Sequence, residues 1–215
     1  MRAAIREAVE TIALAVFLVL LLQATVQNYL VEGSSMEPLL ESRDRVLVNK
    51  ALYAEVDAHR AARFIPGVDA EEVETWTPLH PPQPGDVVVF RSPLPGDTSN
   101  FVKRIIAEPG DRVRIEDGTV FVNGIPIGEE WVTRPKRETL AERIVPLDHY
   151  YLLGDNRANS RDSRDPLIGT ISRENIIGKV SLVYWPVGHF SAMFAGPRQA
   201  VPQRRGGRTR YAAAT

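Results

Sequence analysis

The chain has 215 residues, 44% apolar and 25% charged, which fits one folded domain with appendages and excludes wholesale disorder. Its net charge of −1 lacks the basic excess that nucleic-acid binders carry. The absence of cysteine excludes disulfides, thiolate metal sites, iron–sulfur clusters and thiol catalysis.

Residues 12–22 (IALAVFLVLLL) are continuously apolar, and Ala8, Val9, Ala24, Val26, Tyr29, Leu30 and Val31 extend the stretch. The strict run falls short of the roughly 20 residues that cross a bilayer core, but a helix over residues 8–29 would reach across. Three readings stay open: a cleaved signal peptide, a retained anchor and a buried core helix. Arg2 and Arg6 precede the run, so either membrane reading puts the following body on the outer side.

Beyond it, residues 45–49 alternate as a short strand. Residues 54–84 combine an alanine-rich acidic patch with TPLHPPQPGD, and the prolines predict a long loop or small subdomain. Residues 86–90 and 101–107 read as strands. DRVRIEDGTVFVNGIPI reads as a hairpin with turns at Asp117-Gly118 and Asn123-Gly124. HYYLLGD is a strand entering the loop GDNRANSRDSRD, and residues 176–185 close the body. Short strands without long intervening helices predict a mostly β, antiparallel domain. Five arginines and no acid follow Pro197 in the tail.

The four histidines, His59, His80, His149 and His189, have no metal-ligand spacing. GSSME lacks the G-x-S-x-G elbow, and no glycine-rich phosphate loop occurs. A serine and a lysine remain. Ser35 lies just past the apolar run, where Pro38 keeps it out of a helix interior. Lys103 shares one face of its strand with Phe101 and Ile105. A lysine acts as a base near neutral pH only if desolvation lowers its pKa from about 10.4. Spacing alone does not reject the bland reading, a turn serine and a snorkelling lysine, which a single strand lysine ordinarily favours.

Four segments in order, GSSMEPLL, PGDVVVF, FVKRIIAEPGDRV and GDNRANSRDSR, resemble the boxes of the bacterial type I signal peptidases. These are membrane-anchored endopeptidases with a Ser/Lys dyad. The resemblance implies an antiparallel β catalytic domain of the signal-peptidase type with one N-terminal transmembrane helix. It implies a cytoplasmic N-terminus at 1–7, an anchor at 8–30 and an extracytoplasmic domain at 31–195. It gives no role to the 54–84 loop or insertion or to the basic tail at 196–215, whose composition reads as a solvated, disordered end.

By the same resemblance Ser35 is the nucleophile, Lys103 the general base, and Ser160 the residue that orients the lysine. Arg104, Asp155, Asp162 and Arg164 hold the site, with Arg104 facing Asp155. Gly33, Ser34 and Met36 line the oxyanion and substrate region. Gly33 offers no hydroxyl, so the Ser35 N–H becomes the leading oxyanion donor, with the Gly33 or Ser34 backbone or a water as a second. Serine at position 33 is expected to be tolerated there and valine to be impaired by its shape. Ala158 departs from the family's common aspartate.

The implied partners are signal peptides of exported preproteins and the lipid bilayer of the cell membrane, with no nucleic acid, metal or cofactor. The implied reaction is cleavage after small-x-small sites. Two rivals remain: a self-cleaving repressor-type Ser/Lys peptidase, against which the apolar start argues, and an inert anchored β domain that binds partners.

Overall fold

The computed structural model describes residues 2–53 and 81–193, with the side chains of residues 2–4, 21, 22 and 24 outside that description. Of the expected 54–84 insertion only 81–84 is described, as an irregular approach to a strand. The basic tail lies outside the described residues.

The chain opens with helix α1 (Arg2–Thr25). Ile5, Val9, Ile12, Leu14, Phe17 and Leu20 on it are each more than half exposed, so it is not the buried core helix that the sequence left open. Counting only described side chains, which omits Leu21, Leu22 and Ala24 from the apolar run, no helix is long and apolar enough to cross a membrane. The helix also stops earlier than expected. Residues after Thr25 form strand β1 (Val26–Leu30), paired antiparallel with β2 (Arg45–Asn49) from Val26↔Asn49 to Leu30↔Arg45. Val26, Asn28 and Tyr29 are weak helix formers, and a β2 partner within reach favours the extended form.

The other strands are β3 (Val87–Arg91), β4 (Asn100–Ala107), β5 (Arg112–Glu116), β6 (Thr119–Val122), β7 (Ile125–Pro126), β8 (Leu140–Ile144), β9 (His149–Leu153), β10 (Ile171–Ser172), β11 (Ile176–Trp185) and β12 (Ser191–Ala192). They form two antiparallel sheets. The larger has the order β1-β2-β11-β3-β4-β9-β10, with β12 beside β11; the smaller has the order β7-β6-β5-β8. Both hairpin turns adopt left-handed backbone, with φ of 45° and 84° at Asp117-Gly118 and 53° and 81° at Asn123-Gly124. Those signs suit the right-handed twist of the flanking strands.

Period-two alternation distributes side chains among three cores. On β3, Val87 and Val89 join Val31, Met36, Leu40, Val46 and Val48 on one face. Val88 and Phe90 join Ile105, Tyr150 and Leu152 on the other. A strand buried on both faces reads as a continuous apolar run, which is why VVVF carries no polar residue. The third core packs Ile106, Tyr151 and Leu153 against Val113, Ile115, Val120 and Val122 of the small sheet.

Strand β4 positions the site. It pairs with β3 along Asn100–Arg104 but meets β9 only from Arg104↔Leu153 onwards, so its first four residues have one open edge. Where β4 and β9 meet, Arg104 makes a bidentate ion pair with Asp155, Nε to Oδ1 at 2.8 Å and Nη2 to Oδ2 at 2.7 Å. Both side chains are almost fully buried. Arg104 also donates to Gly85 O and stacks its guanidinium 4.7 Å from the centre of the Trp131 ring.

Removing one partner of such a pair strands a buried charge, at a cost of about 3–5 kcal/mol. Arg104→Met should lower stability by that amount in urea unfolding, and Arg104→Met with Asp155→Leu should recover most of it. An unchanged midpoint in the single variant would show that the pair does not hold this segment.

Candidate active site

Ser35 sits in the turn that follows the extended segment begun by β1. Its neighbour Met36 is 1% exposed and fills the core beneath, which fixes the turn from below. The turn's carbonyls are held from the side by the loop after β9. Asn156 donates from its backbone N–H to Ser35 O at 3.0 Å and from its side chain to Ser34 O at 3.0 Å. Asn159 Nδ2 donates to Ser34 Oγ at 2.7 Å.

Lys103 projects from β4 to the same place. Its Nζ lies 2.7 Å from Ser35 Oγ and donates to Val102 O at 2.8 Å. The residue is 3% exposed, and its Nζ is 5.8 Å from the centre of the Phe101 ring. Burial pushes its pKa down to about 8; Asp162 and Asp155 pull it upward, and Arg164 lowers it again. The sequence expectation of an amine desolvated beside Phe101 is met by this geometry.

Asp162 is the centre of the surrounding network. It accepts from Gly154 N at 3.0 Å, Ser160 Oγ at 2.6 Å, Arg164 Nε at 2.7 Å and Arg164 Nη2 at 2.8 Å. Burial alone would raise its carboxyl, but the Arg164 charge and these hydrogen bonds outweigh that and hold it below the usual range. Arg164 reaches on to Glu138 of the segment before β8.

The structure differs from the sequence expectation at two positions. Ser160 makes no hydrogen bond to Lys103 among the described residues; its hydroxyl proton goes to the Asp162 carboxylate, a stronger acceptor than an amine neighbour. The group that directs Nζ is the Val102 carbonyl. Gly33 has a φ of 87°, and the space that a Cβ would occupy there is open, so no neighbour would clash with a larger side chain. Both substitutions meet backbone strain there, greater for the β-branched valine than for serine, so any difference between them rests on the backbone and not on a neighbour's shape.

Gly154, Asn156, Arg157 and Asn159 lie in the segment GDNRANSRDSR, and its resemblance gave them no role. Arg157 is buried, donates to Gly154 O at 3.1 Å and pairs with Glu129. Gly154 packs so closely that a Cβ would lie 2.5 Å from Ser35 O and 2.2 Å from Ser160 Oγ. Their signal in sequence was the density of Asn, Asp and Arg in one loop, which points to a hydrogen-bonded loop without naming its partners.

A groove of about 320 Å³ opens beside the serine and lysine. Tyr29, Leu30 and Val31 form one side, Val46 and Val89 the floor, and Ser99, Phe101 and Val102 the other side. It is mostly apolar and shallow, and it runs between the outer edge of β1 and the open edge of β4.

Comparison with known proteins shows the family of this chain. The family described as signal peptidase, peptidase S26 matches residues 5–185. Signal peptidase I of Leptolyngbya laminosa is 31% identical over 89% of this chain and 85% of its own length. Signal peptidase I T of Bacillus subtilis is 32% identical over 82% of this chain and 83% of its own. A crystal structure of a signal peptidase I from Enterococcus faecalis is 28% identical, with a TM-score of 0.40, covering 47% of this chain and 98% of that one. The chain belongs to the signal peptidase family, peptidase S26, and is a serine peptidase.

Proposed function

We propose that this peptidase removes N-terminal signal peptides from exported preproteins at the surface of the cell membrane, with Ser35 as nucleophile and Lys103 as general base. The observation that carries the reading is the 2.7 Å approach of a buried lysine nitrogen to a serine hydroxyl. When Lys103 loses a proton, its remaining N–H bond to Val102 O directs the freed lone pair towards Ser35. The amine then takes the Ser35 proton while Oγ bonds to the scissile carbonyl carbon. Collapse of the intermediate breaks the C–N bond, and the ammonium returns its proton to the leaving amine. Lys103 next takes a proton from the water that attacks the acyl carbon, and returns it to Ser35 Oγ as the ester C–O bond breaks, which frees Ser35 and the neutral amine.

Negative charge on the intermediate needs a preorganised donor. Among the described residues the Ser35 N–H makes no hydrogen bond, which supports its assignment as that donor. Gly33, Ser34 and Met36 shape the turn that aims it. Substrate lies in the groove as an extended strand between β1 and β4, and the shallow apolar floor favours small side chains on alternate residues.

Helix α1 is the retained anchor in this reading. Residues 8–25, at about 1.5 Å each, reach about 27 Å, close to a hydrocarbon core of about 30 Å. The exposed apolar side chains of α1 support a lipid environment. The anchor holds Ser35 near the bilayer surface, where the bond to be cut emerges, and so raises its effective concentration. The β body from residue 31 onwards is extracytoplasmic, and residues 1–7 stay inside.

Ser35→Ala and Lys103→Ala should each abolish preprotein cleavage in detergent, and Lys103→Arg should be as inactive, because a guanidinium stays protonated. Cleavage at wild-type rate by any of the three would end the assignment. In wild type, kcat/KM should rise with pH and level off above an apparent pKa of about 8, since below it Lys103 has no lone pair to offer. Arg164→Gln removes a positive charge that repels the ammonium, so its rising limb should move to higher pH; an unmoved limb would contradict the coupling. Gly154→Ala should displace Ser35 and cost roughly 10²-fold in kcat with little loss of circular dichroism signal. Full activity in that variant would show that the loop does not set the position of Ser35.

A further inference from the structure

A second, larger cleft of about 580 Å³ adjoins the groove of the dyad. Tyr29 and Asn100 line both, so the two form one continuous track. By period two, Gln27, Tyr29 and Val31 share one face of the extended segment, with Gln27 in the second cleft and Val31 beside the dyad. At about 3.3 Å per residue the two ends are about 13 Å apart.

The second cleft has a different chemistry from the first. Its lining is polar and carries Lys50 and Arg91. Lys50 makes no ion pair among the described residues, and the Arg91 guanidinium makes one long bond, to Glu174 O at 3.4 Å. Asp97 also lines the cleft, but its carboxylate accepts from Ser99 N at 2.9 Å within its own loop. The cleft is therefore cationic, with its one acid turned into its own loop.

The cleft also lies at the helix end of the track. The Lys50 N–H donates to Thr25 O, the last residue of α1, at 2.8 Å. If α1 is the anchor, this end faces the bilayer. The part of a preprotein still in the bilayer precedes its scissile bond, so the substrate's upstream residues leave the dyad by this route.

We propose that Lys50 and Arg91 form a subsite that reads the charge of the signal peptide four to six residues before the scissile bond, selecting an acidic side chain and rejecting a basic one. The proposal rests on the signal-peptide reading above and adds to it a specificity that the shallow groove beside the dyad does not supply.

The test compares two preproteins that differ only in the fifth residue before the scissile bond, glutamate in one and lysine in the other. Each is cleaved by the full-length protein in neutral phosphatidylcholine vesicles at low salt. The ratio of kcat/KM, glutamate over lysine, cancels any general loss of activity within one enzyme. Exposed charge pairs predict a ratio of roughly fivefold or more in wild type, falling towards one in about 1 M salt. Lys50→Gln with Arg91→Gln should bring the ratio near one, and Lys50→Glu with Arg91→Glu should invert it.

The same ratio in wild type and in either double variant overturns the proposal. So does a wild-type ratio of one with rates that instead follow phosphatidylglycerol content, which would make the cleft a lipid-headgroup site. Failure of wild type to cleave either preprotein is a distinct result, because it removes the signal-peptide reading itself and the subsite with it.

Discussion

The site depends on keeping one amine out of water beside a hydroxyl without giving it a carboxylate of its own. Lys103 is buried against Phe101 and Ser35, and burial favours its neutral form. Two carboxylates nearby, Asp162 and Asp155, act the other way. Each is claimed by an arginine: Asp155 by Arg104 in a bidentate pair, and Asp162 by Arg164. Arg164 thus does more than hold the loop. Its charge lowers the Lys103 pKa and so offsets part of the upward pull of the two carboxylates.

The fold makes this arrangement rigid from three directions. Met36 roots the serine turn in the first core, and β4 delivers the lysine between the first and second cores. The loop after β9 closes over both, with Asn156 gripping the carbonyls of Ser34 and Ser35. Gly154 allows the closest approach, since any Cβ there would overlap the Ser35 carbonyl oxygen. Two hydrogen bonds, to the Ser35 hydroxyl and to the Val102 backbone carbonyl, set the direction of the Lys103 amine.

Much of this was legible in the sequence, and for identifiable reasons. Alternation located β2, an apolar run located β3, and length, bounding glycines or turn dipeptides located β4, β9, β11 and the β5–β6 hairpin. Strand β1 was hidden in an apolar run that reads as helix to its end, and β8 (LAERI) is mostly exposed, so neither left a periodic signal. Ser35, Lys103 and the Arg104–Asp155 pair came from motif resemblance and lie together as implied. What the motif did not contain was the partner of each hydroxyl. Ser160 donates to Asp162 because a charged acceptor is within reach, a fact of three-dimensional proximity that spacing does not encode.

The proposed catalysis by Ser35 and Lys103 requires Lys103 to be a neutral base in the folded enzyme at mildly alkaline pH. Carbon-13 NMR of the labelled lysine ε-methylene, assigned by loss of its signal in Lys103→Ala, follows that one amine directly. The expected titration midpoint in the folded protein is about 8. A midpoint near the ordinary lysine value of about 10.4 would contradict a neutral base at this position.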